Sequence, residues 1–194
     1  MAPWVPTHQI TLPTMSDEDA NKIRADSLAQ EAKAFDITDP PDVALIRWVS
    51  YNEVGSVSAQ CLRDAGFNVI GAGTLMFMPD GIPPSQASAF NLASYVCDAQ
   101  YSVHPKYAQP MTADQYGLLY DYTVEWEVPC LATFGFTPTA APTRETFISQ
   151  SLQQGKASWN PWEEAETQIG ISQQKVVTLT DTCPQYPPVQ YLWG

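Results

Sequence analysis

A seven-residue pattern occurs twice in this chain and limits its fold more than any other feature. It is Cys-Leu-x-x-x-Gly-Phe, at Cys61-Leu62-Arg63-Asp64-Ala65-Gly66-Phe67 and at Cys130-Leu131-Ala132-Thr133-Phe134-Gly135-Phe136. Each copy places a cysteine about one turn before a glycine that can stop a helix. Each is followed, after a Pro-containing stretch and a helical stretch, by one further cysteine, Cys97 and then Cys183, which accounts for all the cysteines. Four cysteines allow three pairings. The repeat selects Cys61–Cys97 and Cys130–Cys183, because in each copy the chain reverses after the glycine and the later helix brings the second cysteine back. The bridged positions are 36 and 53 apart, so in the loop-entropy model each bond stabilises by roughly 4 kcal/mol. Two such bonds imply an oxidising compartment.

The totals exclude several classes of function. Nine basic residues stand against 21 acidic ones, a formal charge of −12. A nucleic-acid interface needs a basic footprint to displace counterions, and none exists here. An anionic membrane surface is disfavoured for the same reason. No run of eighteen apolar residues is present, so no spanning helix is expected. No signal peptide is visible, and Met1-Ala2-Pro3-Trp4 reads as a start from which a leader was cut away. No Cys-x-x-Cys occurs, and His8 and His104 are remote in sequence from every cysteine, so neither metal nor cofactor is expected.

Along the chain, residues 1–15 carry three prolines and no period, and read as a tail or linker. Residues 16–194 then form a single helix-rich domain. Ser16 caps a helix over Asp17–Phe35 with three acids in its first turn. Thr38-Asp39-Pro40-Pro41 signals a second start, and apolar spacing from Val43 through Cys61 predicts a helix over Asp42–Ala65. Gly55 inside it invites a kink. The runs Phe67–Ile70 and Thr74–Met78, separated by Gly-Ala-Gly, predict a β-hairpin. Pro83-Pro84-Ser85 opens a helix to about Gln100.

In the second half, Thr112-Ala113-Asp114-Gln115 fits a capping box and opens a helix to about Phe134, kinked at Pro129. Helices follow at Thr143–Gln154, after Pro161 to about Gln168, and from a Ser172 cap to Cys183. The Pro184–Gly194 tail reads as extended. The fold class is therefore mainly α with a small β-hairpin. Its two related helical halves, about 42–101 and 112–183, are each closed by a disulfide.

Chemistry is sparse. Gly55-Ser56-Val57-Ser58-Ala59 lacks the second glycine of a nucleophile elbow, and His104, before Pro105, reads as a surface loop residue. The carboxylates Asp121, Glu125, Glu163 and Glu164 are the material for a hydrolase, although acids opening a helix are explained by its dipole. The suggestive set is aromatic: Trp159, Trp162, Tyr186, Tyr191 and Trp193 are candidate ligand-binding residues, since such rings stack on sugars or anchor interfaces. Trp48 and Trp126 read as core.

The order of short motifs resembles a group of small actinobacterial cell-envelope lipoproteins, mostly without assigned function. It comprises Cys61 to Phe67, Cys97, Cys130 to Phe136, Trp159-Asn160-Pro161-Trp162 and Cys183-Pro184-Gln185-Tyr186-Pro187. The resemblance covers roughly residues 42–194 and supplies no catalytic residues. It implies a surface or secreted protein that meets the membrane only through a lipid anchor, absent from this sequence. The expectation is a non-enzymatic envelope protein binding a partner protein or an envelope glycan. The alternatives are an exported hydrolase using carboxylates, or a structural subunit of a surface assembly.

Overall fold

The computed structural model describes residues 2–168 and 173–194. Both expected disulfides are formed, Cys61–Cys97 and Cys130–Cys183, each with Cα atoms 5.8 Å apart. The chain divides into two compact units, each holding one of them. Thr14–Ala108 is the Cys61–Cys97 unit; Met1–Pro13 with Gln109–Gly194 is the Cys130–Cys183 unit.

The repeated pattern has the same local structure in both units. The glycine takes a left-handed φ, +94° at Gly66 and +83° at Gly135. Its N–H donates three residues back, to Arg63 O and Ala132 O, at 2.9 and 3.0 Å. The phenylalanine N–H donates five back, to Leu62 O and Leu131 O, at 3.0 and 3.4 Å. This is a Schellman ending, and the Leu and Phe supply the apolar pair that accompanies it. Leu62 and Leu131 are fully buried, and the cysteine one position earlier staples the helix end. The pattern is a helix terminator with a disulfide attached.

In the Cys61–Cys97 unit, α1 (Asp17–Ala34) starts at the expected cap, with Ser16 Oγ accepting the Asp19 N–H at 3.1 Å. The helix predicted over Asp42–Ala65 is largely displaced. Residues 41–50 carry no helix, and after a 3₁₀ turn at Tyr51–Glu53, α2 covers only Val54–Asp64. The reason is competition for backbone partners. Ile46 and Val49 donate to Gln100 O and Ser102 O (both 2.9 Å), and His104 N–H returns to Val49 O. Glu53 Oε1 reaches back to the Ser50 N–H at 2.9 Å and fixes the true helix start. Ile46, counted in the helical period, is 59% exposed.

Strands β1 (Ile70–Ala72) and β2 (Leu75–Phe77) pair antiparallel, with Ile70 opposite Phe77 and Ala72 opposite Leu75. The turn is therefore Gly73-Thr74 and begins two residues later than the Gly-Ala-Gly spacing implies. Gly55 does not kink a helix. It sits in the first turn of α2, where its N–H donates to Gly73 O at 2.8 Å. A Cβ there would collide with the Leu75 carbonyl, and one at Gly71 with the Gly55 carbonyl. The hairpin thus lies backbone to backbone on α2. A 3₁₀ turn at Pro84–Gln86 leads into α3 (Ala87–Gln100), and another at Pro105–Ala108 closes the unit. Ala59, Leu62, Val69 and Cys97 form the core between these elements.

In the Cys130–Cys183 unit, the expected Thr112–Gln115 box opens α4 (Ala113–Tyr122). A π-helical stretch, Thr123–Glu127, then precedes α5 (Val128–Ala132), and Val128 N–H donates to Thr123 O. Pro129 has no N–H to continue the regular ladder, and the helix absorbs this as a register shift. Next come α6 (Arg144–Gln154), ended by Gly155 at φ +68°, then α7 (Pro161–Gln168) and α8 (Gln173–Thr182). The Ser172 cap lies outside the described residues. The C-terminal stretch is not wholly extended, because α9 (Val189–Leu192) adds a turn that buries Leu192 and Trp193. Proline-fixed φ at Pro187-Pro188 pre-forms its entry. Trp4, in the stretch read as tail or linker, is 7% exposed and packs edge-on against Tyr122, with its indole donating to Glu125 at 3.0 Å.

Candidate functional site

A cavity of about 890 Å³ is an open groove in the Cys61–Cys97 unit. Val57 and Phe67 from the α2 side and Leu92, Ala93 and Val96 from α3 line it, with the disulfide in its floor. Leu92 is 43% exposed at its lip. The polar rim is Arg47, Gln60, Asp64 and Gln100. Arg47 grips Glu53 bidentately at 3.0 and 3.1 Å, and that hydrogen bond holds the Glu53 carboxyl below its ordinary range. Gln60 and Asp64 bond each other at 2.8 Å. An apolar trough whose rim groups Arg47, Gln60 and Asp64 already have local partners suits apolar side chains.

A second cavity of about 490 Å³ lies against α1, with Ile23, Leu28, Val54 and Val103 among its walls. It carries two acids, Glu31 and Asp98, whose pKa values burial raises, Glu31 to about 7. His104 is not an isolated loop residue. It lines this cavity, its ring lies 5.0 Å from that of Trp48, and its Nδ1 accepts the Lys106 N–H. Burial first, then the Lys106 charge, lowers its pKa.

The aromatic set falls in the Cys130–Cys183 unit and is largely engaged within it. Trp162 is buried, donating its indole N–H to Cys183 O at 3.0 Å. Trp193 is buried beside Tyr186, at 5.7 Å between rings. Tyr191 meets Trp4 at 6.1 Å. Trp159 and Tyr186 are part-exposed and share a small cavity, about 20 Å³, with Asn160, Gln185 and Glu127. Trp48 and Trp126 are only part-buried; Trp126 stacks on Tyr122 at 5.4 Å.

Three of the four carboxylates named for hydrolysis have a local partner. Arg144 holds Asp121 bidentately at 2.8 and 3.0 Å, Glu125 takes the Trp4 indole, and Glu164 takes the N–H and hydroxyl of Thr139. Glu163 lies in the first turn of α7 and receives no comparable bond among the described residues. Glu127 is different. It is 1% exposed, Oε1 has no hydrogen-bond partner among the described residues, and burial raises its pKa well above the ordinary carboxylate range.

Sequence reasoning did not find Glu31, Asp98, Glu127 or the groove. Glu31 and Asp98 come from two helices far apart in the chain, and nothing local marks either. Among the described residues no group of three or more His, Cys, Asp or Glu is placed to hold a metal ion, and no helix is long and apolar enough to cross a membrane. Comparison with protein-family models, curated proteins and solved structures finds no match to the chain.

Proposed function

We propose that this is an exported, non-enzymatic cell-envelope protein, akin to the actinobacterial lipoproteins its motifs resemble, and that it binds a partner protein. The observation that carries the reading is the groove of about 890 Å³ along α2, α3 and their disulfide. Its apolar walls and exposed Leu92 suit an apolar-faced segment of another protein, the helix-in-groove mode of recognition. The chain's charge of −12 favours a segment with basic flanks, which it would steer inward. Two disulfides and the lack of a spanning helix among the described residues agree with an extracytoplasmic setting. A glycan is the weaker ligand, because Trp162 and Trp193 turn their rings into the core rather than toward solvent.

The test is retention of oxidised protein on separated peptidoglycan, polysaccharide and membrane-protein fractions. Leu92→Asp changes the lip of the groove at an exposed position and should leave the fold intact. Retention on the protein fraction that Leu92→Asp loses supports the proposal. Retention on a glycan fraction that Trp159→Ala loses favours the glycan instead. No retention on any fraction sinks both and returns attention to the hydrolase or structural-subunit readings.

A further inference from the structure

The Cys130–Cys183 unit buries one acid that its own fold leaves unanswered. Glu127 is 1% exposed, and its Oε1 has no hydrogen-bond partner among the described residues. A buried acceptor left without a donor is costly, so it calls for a partner from outside the fold. Glu127 ends the π-helical stretch Thr123–Glu127, and such stretches recur at functional sites. It lines the cavity of about 20 Å³, together with Thr123, Trp159, Asn160, Gln185 and Tyr186. About 10–15 Å³ holds one water molecule, so this space takes a single group of that size. Its outer side is made by Trp159, Asn160, Gln185 and Tyr186, each of them part-exposed. Trp159 is fixed there: its indole donates to Thr139 Oγ1 at 3.3 Å, and Thr139 donates in turn to Glu164 at 2.6 and 2.9 Å.

We propose that this cavity binds a primary ammonium group, R–NH3+, with Glu127 as its counter-ion. The size agrees, because an ammonium head is close to a water molecule in bulk. The chemistry agrees too. An ammonium carries three N–H donors, and Glu127 Oε1 and the amide oxygens of Asn160 and Gln185 are acceptors on these walls. Aromatic rings beside a carboxylate favour a cation over a neutral guest. A metal ion wants oxygen on every side, whereas Leu119, Ala157 and Pro161 make part of this wall hydrocarbon. That hydrocarbon suits the methylene stem of an amine. Among the described residues no Lys, Arg or His lines the cavity, so the fold supplies no cation of its own. The chain's charge of −12 draws cations toward the surface.

Binding is an exchange of cations. Burial holds the Glu127 carboxyl well above its ordinary range, so the empty cavity keeps the proton. When the ammonium enters, the Glu127 O–H proton leaves to solvent and the charge within the cavity is unchanged. Because the proton must leave, amine binding strengthens as pH rises, until Glu127 ionises unaided. The surrounding groups do not reverse this sign. Tyr186 is the other titratable side chain lining the cavity. On α4, Tyr122 donates its hydroxyl to Pro184 O at 2.6 Å, and burial, then the Glu127 charge, pushes its pKa up, so it stays neutral. Asp121 on α4 is held by Arg144, Glu125 takes the Trp4 indole, and Glu164 on α7 takes Thr139. Glu163 and Glu166 are exposed on α7, and none of these five acids and tyrosine lines the cavity.

Titration with n-butylamine at fixed ionic strength tests the site, followed by nuclear magnetic resonance of the isotope-labelled indole N–H groups. The Trp159 signal should shift saturably, and its neutral analogue n-butanol should leave that signal in place. Between pH 6 and pH 8 the affinity should rise by about tenfold per pH unit while Glu127 holds its proton, since n-butylammonium stays charged to about pH 10. Glu127→Gln should abolish the shift; if that variant does not fold, the wild-type pH profile decides alone. A parallel titration with Nα-acetyl-lysine amide identifies the source. Tighter binding than n-butylamine supports a lysine side chain on a polypeptide, and weaker binding supports a free small amine. No saturable shift, an equal response to n-butanol, a flat pH profile, or unchanged affinity in Glu127→Gln overturns the proposal and leaves the cavity as the seat of a buried water only.

Discussion

Replacing Gly55 with alanine decides between two opposed effects. At an ordinary helix position the change stabilises, because alanine gains up to about 1 kcal/mol of helix propensity over glycine. Here the new Cβ meets the Leu75 carbonyl, which belongs to a strand and cannot turn aside as a side chain could. Overpacking of this kind costs about 2–3 kcal/mol. Moving the hairpin away also strains the Gly55 N–H to Gly73 O bond, worth about 1 kcal/mol. The collision therefore wins, and Gly55→Ala should destabilise by about 2–3 kcal/mol net. Urea unfolding of oxidised protein, followed by far-ultraviolet circular dichroism, would show this as a lower midpoint at unchanged slope. A midpoint that rises would mean the hairpin does not lie on α2 as described, and the packing argument for the whole Cys61–Cys97 unit would fail with it.

Other outcomes follow from the same structure. Serine substitution at Cys61 and Cys97 together should cost about 3.8 kcal/mol, and at Cys130 and Cys183 about 4.2 kcal/mol, from the loop lengths alone; urea titrations check both. Trp4→Ala should destabilise by about 3 kcal/mol, because the ring is buried against Tyr122, whereas a true tail residue would cost nothing measurable in the same titration. Glu127 makes stability fall as pH rises above 4.5, since its raised pKa holds a proton in the fold that the unfolded chain has released; thermal melts of Glu127→Gln should be flatter with pH than those of wild type.

The parts legible in the sequence are those whose physics is local. Ser16 and Thr112 cap where their side chains can reach the next turn, and Gly66 and Gly135 stop helices by accepting a left-handed φ. The disulfide pairing was legible because the repeat carried it. The false helix over residues 42–50 came from apolar spacing alone. The competing signal, Ser50-Tyr51-Asn52-Glu53, is a capping box in plain view and marks the start of α2 within a few residues. The role of Gly55 was not legible, because it depends on a carbonyl twenty residues away. The same holds for Glu31 with Asp98 and for Trp4 with Tyr122. Their meaning is created by the tertiary fold, and no window along the chain contains both partners.

The function rests on whether a protein occupies the groove. A photo-crosslinking residue at position 92, on the lip, would be activated in contact with intact envelope, beside a control at the similarly exposed Leu152 on α6. The account predicts one discrete protein adduct from position 92, none from 152, and loss of that adduct when unlabelled protein competes. Equal labelling from both positions, or adducts carrying only glycan, would contradict it.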